Sequence, residues 1–220
     1  MAMRLFGNRV SHPVRACILL ARKVGQPLEE VNVDILKGEQ FKIKDLPFRK
    51  IPVLKHGDLT LAESTAILRY IADSSPSGGD WYPKDLKKRA KVDEFLDHWH
   101  STFNPTIFNL MRNKLFYKML FRADKPDEKV IAELRKAKDS NNKLFNSYFI
   151  KGKPFVAGEA PSIADILATV TMDQTSLIGE DLSPVTAYMD RVKSHLEGYD
   201  ELHKVAMEMP VTLRKMKMIS

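Results

Sequence analysis

The chain has 220 residues, 44% of them apolar and 29% charged, the balance of a water-soluble globular protein with length for one large domain or two ordinary ones. No stretch approaches the roughly 18 uninterrupted apolar residues of a membrane helix, the N-terminus lacks the apolar run of a signal peptide, and the lone Cys17 excludes an internal disulfide. A reducing, cytoplasmic setting is therefore expected. The net charge of +7 favours anionic partners in general, but it is spread out: residues 1–75 carry 12 Lys/Arg against 8 Asp/Glu, and residues 76–220 carry 23 against 20. The densest run, KDLKKRAK (84–91), lacks the aromatic interleaving of a single-strand binder and reads as a solvated helix face, so neither a nucleic-acid nor a membrane partner is expected.

MRLFG (3–7) is a short apolar strand. From Pro13 to Val24 the apolar residues Val14, Cys17, Ile18, Ala21 and Val24 recur at helical spacing, and Gly25 reads as the stop. Ser11, just before that run, is placed as a helix cap; the same hydroxyl at a helix end can equally serve chemistry. LEEVNVDI (28–35) alternates as a half-buried strand does, and IPVLKHGDLTL (51–61) reads as a hairpin around His-Gly-Asp. ESTAILRYIA (63–72) returns to helical spacing. SSPSGGDWYP (74–83) is dense in turn formers, and beyond it the spacing is helical throughout, with Pro105 expected to bend or end the first long helix. The order predicts a small α/β thioredoxin-like domain (1–75), a linker (76–87) and an all-α domain (88–220).

Three local patterns carry candidate chemistry. In RKIPVL (49–54) Pro52 opens a strand, where it costs no central ladder bond. A trans bond there is ordinary; a cis bond would turn the backbone of Ile51 outward, ready to pair with a peptide-like ligand as an added strand. In LAESTAIL (61–68) the Glu63-Ser64 pair at a helix start is a routine cap, and it also suits the two charges of an α-amino acid head group. In GEAPSIADILA (158–168) Ser162 and Asp165 form a capping box, which predicts a structural role for Asp165 in the helical core.

Together these pieces resemble the glutathione transferases over essentially the whole chain: IPVL, then ES nine residues later, then PSIAD. Within that superfamily SHPVRA after the first strand, VDILKGEQF, LTLAES, WYPKDL and RAKVDEFL look like the theta class, which uses a serine near the start of the first helix. The tyrosine-using classes carry a Tyr late in the first strand, where this chain has Phe6. The omega class has a Cys before the proline, where this chain has Ser11-His12-Pro13; Cys17 reads as core.

The resemblance implies glutathione as co-substrate, no metal, a homodimer, and conjugation of the glutathione thiolate to small apolar electrophiles, with reduction of organic hydroperoxides as a side reaction. It makes Ser11 the catalytic hydroxyl. It has Ile51 pair with the cysteinyl residue beside a cis Pro52, Glu63 and Ser64 hold the γ-glutamyl head, and Lys50 and Gln40 reach the glycine carboxylate. Arg15 would give support near the helix start, while His12 is expected to face solvent. Theta members often have His where this chain has Gln40, and KIKDLPFRK lacks the usual Asn-Pro before the basic residue. Some theta enzymes place an arginine in the first helix of the second domain, where the nearest match here is Asn104, and no tryptophan follows Trp99. The electrophile pocket is expected from His98, Trp99, Phe103, Ile107 and Met111, joined by Met207, Met209, Met216 and Met218. The alternative is a non-catalytic binding or assembly module of the same fold, which has no evident use for an intact Ser11, Lys50, Glu63 and Ser64.

Overall fold

Strand β1 (Met3–Gly7) leads into helix α1 (His12–Lys23), which brings the chain back so that β2 (Leu28–Asn32) lies parallel to β1. A parallel pair needs such a crossover, and α1 supplies it. The computed structural model describes residues 2–44 and 46–219. β3 (Val53–His56) and β4 (Leu59–Ala62) form an antiparallel hairpin in which Gly57 takes a φ of 62°, a conformation a side chain would strain. β3 also pairs antiparallel with β1, Leu5 opposite Leu54, giving the sheet order β2-β1-β3-β4. The strand expected over 28–35 stops pairing at Asn32. Asp34 Oδ1 accepts the N–H groups of Leu36 and Lys37 and turns the chain. Helix α2 (Ser64–Asp73) follows β4 and packs beside α1.

Beyond α2 the elements are helices joined by loops, with one isolated antiparallel bridge, Phe155 to Gly158: α3 (Leu86–His98), a π-helical turn (Trp99–Phe103), α4 (Asn104–Leu115), the short α5 (Tyr117–Phe121), α6 (Glu128–Leu144) with a second π-helical stretch at its end (Phe145–Ile150), α7 (Ile163–Asp173), α8 (Thr186–Lys193) and α9 (Tyr199–Lys215). Pro105 sits in the first turn of α4, where its missing N–H costs least, and the wider turn just before it interrupts the α ladder. Asp85 caps α3 by accepting the Lys88 N–H at 2.9 Å, while Lys84, Lys87, Lys88 and Lys91 stay exposed.

α1 is the hinge of the architecture. It is buried along nearly its whole length because it packs against α2 within the sheet unit and against α7 of the helical unit. A helix apolar on most faces belongs inside, and this one joins the two units through a continuous core running from Leu5, Val14 and Ile18 to Ile166, Leu167 and Val170. Cys17 lies in that core, where burial pushes its thiol pKa up and keeps it inert.

A second buried group ties the helical unit. Glu180, with 3% of its side chain exposed, accepts from Arg135 at 2.9 Å, Lys138 at 3.1 Å and Lys114 at 3.3 Å. Burial pushes its carboxyl up, but the bonds from Arg135 and Lys138 outweigh that and hold it at about 2. A folded-state pKa below the unfolded value of about 4.3 contributes stability that is complete above that value and is lost as pH falls toward 2. Urea unfolding at pH 3 should therefore show about 1 kcal/mol less stability from this site than at pH 7, allowing for screening by nearby water. Glu180→Gln should remove that part of the pH dependence; an unchanged pH profile in the variant would refute the assignment.

Candidate active site

Ser11 stands immediately before α1 with extended φ and ψ of −72° and 119°, yet its hydroxyl makes no cap bond. A cap oxygen ordinarily accepts from the second or third helical N–H, and the second helical residue is Pro13, which has none. The loop is held instead by Asn8, whose Oδ1 accepts the Val10 N–H and whose backbone oxygen accepts the Ser11 N–H, both at 2.9 Å. The serine hydroxyl is thus left at the positive end of a helix, on the wall of a cavity of about 680 Å³ between the sheet unit and the helical unit.

Gln40, Lys50, Ile51, Pro52, Glu63 and Ser64 line the same cavity. The Ile51–Pro52 peptide is cis, and Ile51 lies one step outside the β3 ladder, which begins at Val53. Glu63 has φ 69° and ψ 115°, a sparsely populated conformation for a residue with a side chain, and it delivers the buried Ser64 to the first position of α2. Its carboxylate lies 3.8 Å from the imidazole of His100, which reaches over from the helical unit. Gln40 Oε1 is buried without a hydrogen-bond partner among the described residues. Lys50 is exposed and follows Phe48 and Arg49, which take positive φ values of 61° and 52°.

The opposite wall comes from the π-helical turn and α4. Of the residues expected there, Trp99 and Met111 line the cavity, and Trp99 Nε1 is anchored by donating to Thr171 Oγ1 at 2.8 Å. His98, Phe103 and Ile107 do not line it. The His98 ring leans on Phe149 at 5.2 Å, Phe103 packs with Phe95 and Phe145, and Ile107 joins a buried cluster with Leu177 and Leu213. Among the C-terminal methionines Met209 lines the cavity, Met207 and Met216 are exposed, and Met218 packs against the second core cluster. The cavity-facing row of α4 is Asn104, Phe108, Met111, Arg112 and Leu115. The π turn adds a residue and rotates everything after it, so the row read forward from Trp99 through Phe103 and Ile107 points into the core.

His12 corrects the expectation of a solvent-facing side chain. It is buried at 6% exposure, its ring meets Trp99 edge-on at 6.3 Å, and Nε2 lies 2.8 Å from Asn104 Oδ1. Because that oxygen can only accept, Nε2 carries the proton. Burial pushes the imidazole pKa down to about 3, and the Arg15 charge adds to the effect, so His12 is neutral throughout the physiological range. Lining residues that the sequence did not point to include His12, His100, Phe108, Arg112, Leu115 and Gln174; the Arg112 guanidinium lies 5.4 and 5.5 Å from the rings of Phe108 and Phe121.

A thioredoxin-like sheet that presents a helix-end serine, a cis-proline strand edge and a Glu-Ser helix start to a cavity roofed by helices is the architecture of a glutathione transferase. Residues 1–73 match the family described as "Glutathione S-transferase, N-terminal domain". Human glutathione S-transferase theta-2B is 34% identical over 94% of this chain and 88% of its own length, and mouse theta-3 is 30% identical over 94% and 90%. A crystal structure of human glutathione transferase theta-2, complexed with glutathione and an unknown ligand, superposes with a TM-score of 0.89 at 31% identity over 98% of this chain and 91% of that one. The chain belongs to the theta class of glutathione transferases.

Proposed function

We propose that the chain binds glutathione along the sheet-side wall and joins its sulfur to a small apolar electrophile held by the helical wall, with Ser11 as the activating hydroxyl. The observation that carries this reading is the uncommitted Ser11 hydroxyl at the α1 N-terminus, on one wall with Ile51, Glu63 and Ser64. Glu63 takes the γ-glutamyl ammonium, while Ser64 and the N-terminus of α2 take its carboxylate. The Ile51 backbone pairs with the cysteinyl residue. Lys50 supplies charge to the glycine carboxylate, and Gln40, on the same wall, donates to it through its side-chain NH₂.

A free thiol with a pKa of about 8.5 is mostly protonated at neutral pH. Donation from Ser11 Oγ–H and the helix field favour the anion, so the thiol proton leaves to solvent on binding. The thiolate then attacks the electrophilic carbon; a sulfur–carbon bond forms and the leaving group departs with its bonding pair. No base is needed, and His12, whose burial lowers its pKa to about 3, is too weak a proton acceptor to be one. The human theta-2 structure that holds glutathione supports the binding half of this reading. A homodimer is part of this reading, as the resemblance to the theta class implies. A cytoplasmic enzyme is consistent with the absence, among the described residues, of any helix long and apolar enough to cross a membrane.

Calorimetric titration with glutathione, followed by conjugation assays against activated alkyl and aralkyl halides, tests the proposal. Binding with turnover supports it, while no binding at millimolar glutathione favours the assembly-module alternative. Glu63→Ala should raise the KM for glutathione about 10- to 100-fold, the loss of one charge-assisted contact worth ~1.5–3 kcal/mol, with kcat nearly unchanged at saturation. An unchanged KM would remove Glu63 from the site.

A further inference from the structure

Arg15 is an arginine with almost no access to water: it is 1% exposed, one turn into α1, and its backbone N–H bonds back to Ser11 O at 3.0 Å. Among the described residues no carboxylate hydrogen-bonds its guanidinium. Nη1 donates to the backbone oxygens of Arg9 at 3.1 Å and Val10 at 2.8 Å, the two residues directly before Ser11. Nη2 donates to Gln174 Oε1 at 2.7 Å. Gln174, buried at the C-terminus of α7 on the cavity wall, closes the ring by pointing Nε2 at Val10 O, 3.4 Å away. The carboxylate whose charge bears on Arg15 is that of Asp173, which accepts from Tyr199 Oη–H at 2.7 Å and pairs with Lys193 at 3.3 Å.

Burying a charge is costly, and a clamp between two packed units could be built from apolar side chains at less expense. What an apolar pair could not do is hold two consecutive backbone oxygens and leave a net positive charge beneath the same turn. Burial pushes the guanidinium pKa down to about 10, which leaves it charged at neutral pH. From this geometry we infer that Arg15, braced by Gln174, is a positioning residue for Ser11: it fixes the Arg9–Val10–Ser11 turn from below and adds its charge to the field that holds the glutathione sulfur as thiolate. This rests on the reading of Ser11 as the sulfur's hydrogen-bond donor.

The test is the thiolate absorbance of bound glutathione against pH, with kcat and KM, for Gln174→Glu, Arg15→Lys and Ser11→Ala, each checked for folding by circular dichroism and thermal midpoint. Gln174→Glu keeps an acceptor for Arg15 but cancels its charge. It should raise the bound-thiol pKa by about 0.5–1 unit and lower kcat at pH 6.5 about 3- to 10-fold, with KM for glutathione within about 2-fold. Arg15→Lys keeps the charge and loses the two-pronged grip, so it should lower kcat about 10-fold, and that loss should shrink in a Ser11→Ala background because the grip acts through Ser11. If Arg15→Lys does not fold, Gln174→Glu decides alone. Folded variants with wild-type thiolate pKa and kcat, whatever their thermal midpoints, would make the pair an interdomain clamp and overturn the inference. If Ser11→Ala moves the thiolate pKa and these variants do not, only this inference falls. If Ser11→Ala leaves it unmoved, the reading of Ser11 falls and takes this inference with it.

Discussion

Ser11→Ala is expected to raise the pKa of bound glutathione by about one to two units and to lower kcat at pH 6.5 by ~10- to 100-fold, while leaving glutathione affinity within about threefold. The size follows from the bond removed. A hydrogen bond to a charged acceptor contributes ~1.5–3 kcal/mol, and one pKa unit is about 1.4 kcal/mol, so losing the donor to the sulfur anion costs one to two units. The sign follows too. A donor that stabilises the anion lowers the thiol pKa, so its removal raises the pKa and leaves less thiolate at any pH below it. The deficit should therefore be largest in acid and should narrow at pH 9, where the thiol ionises without help. The helix N-terminus remains in the variant, so the pKa should stay below that of free glutathione. Stability should change by less than about 0.5 kcal/mol, because the Ser11 hydroxyl makes no cap bond. If Ser11 were only a cap, the pattern would invert: a loss near 1 kcal/mol in unfolding and an unmoved thiolate pKa.

How much of this could be read from the sequence depends on the range of the interaction. β1, α1, the β3–β4 hairpin and the Ser162–Asp165 box rest on spacing and turn chemistry within a few residues, and the structure has them at those places. The sheet-side wall of the cavity was legible as well, since Ile51, Pro52, Glu63 and Ser64, which line it, come from two short motifs flanking one hairpin. The other wall was not. Whether Phe103 or Phe108 faces the cavity depends on a single added residue in the π turn, and helical periodicity assumes that no such turn intervenes. His12 was misread because a residue at the start of a helix is wet or dry according to what roofs it; here the roof is Trp99 and Asn104, some ninety positions further on. The bond from Arg15 to Gln174 spans 159 positions, and Glu180 draws its cations from α4 and α6. Such polar groups show no periodicity, so only the folded chain pairs them.

Asp165 carries the second large effect, and it falls on the fold. Its carboxylate is fully buried and accepts four bonds: Val156 N–H at 2.9 Å, Ser162 N–H at 2.8 Å, Ser162 Oγ–H at 2.7 Å and Tyr188 O–H at 2.8 Å. The box starts α7, the helix that α1 packs against and that ends just before Gln174 on the cavity wall. Asp165→Ala strands all four donors in the core and removes the cap partner together, a loss of ~3–5 kcal/mol against a total stability of ~5–15 kcal/mol. For a chain of this length that is a fall in thermal midpoint of about 10 °C. Asp165→Asn keeps the shape but turns an NH₂ toward two of the donors, so it should recover only part of the loss. Both variants, assayed well below their midpoints, should show wild-type KM for glutathione and wild-type bound-thiol pKa, because the carboxylate touches neither wall of the cavity. A midpoint within 2 °C of wild type, by calorimetry, would show that the α7 start is held by its apolar face alone. A normal midpoint combined with a shifted thiol pKa would instead give Asp165 a part in the chemistry that its burial and its four partners argue against.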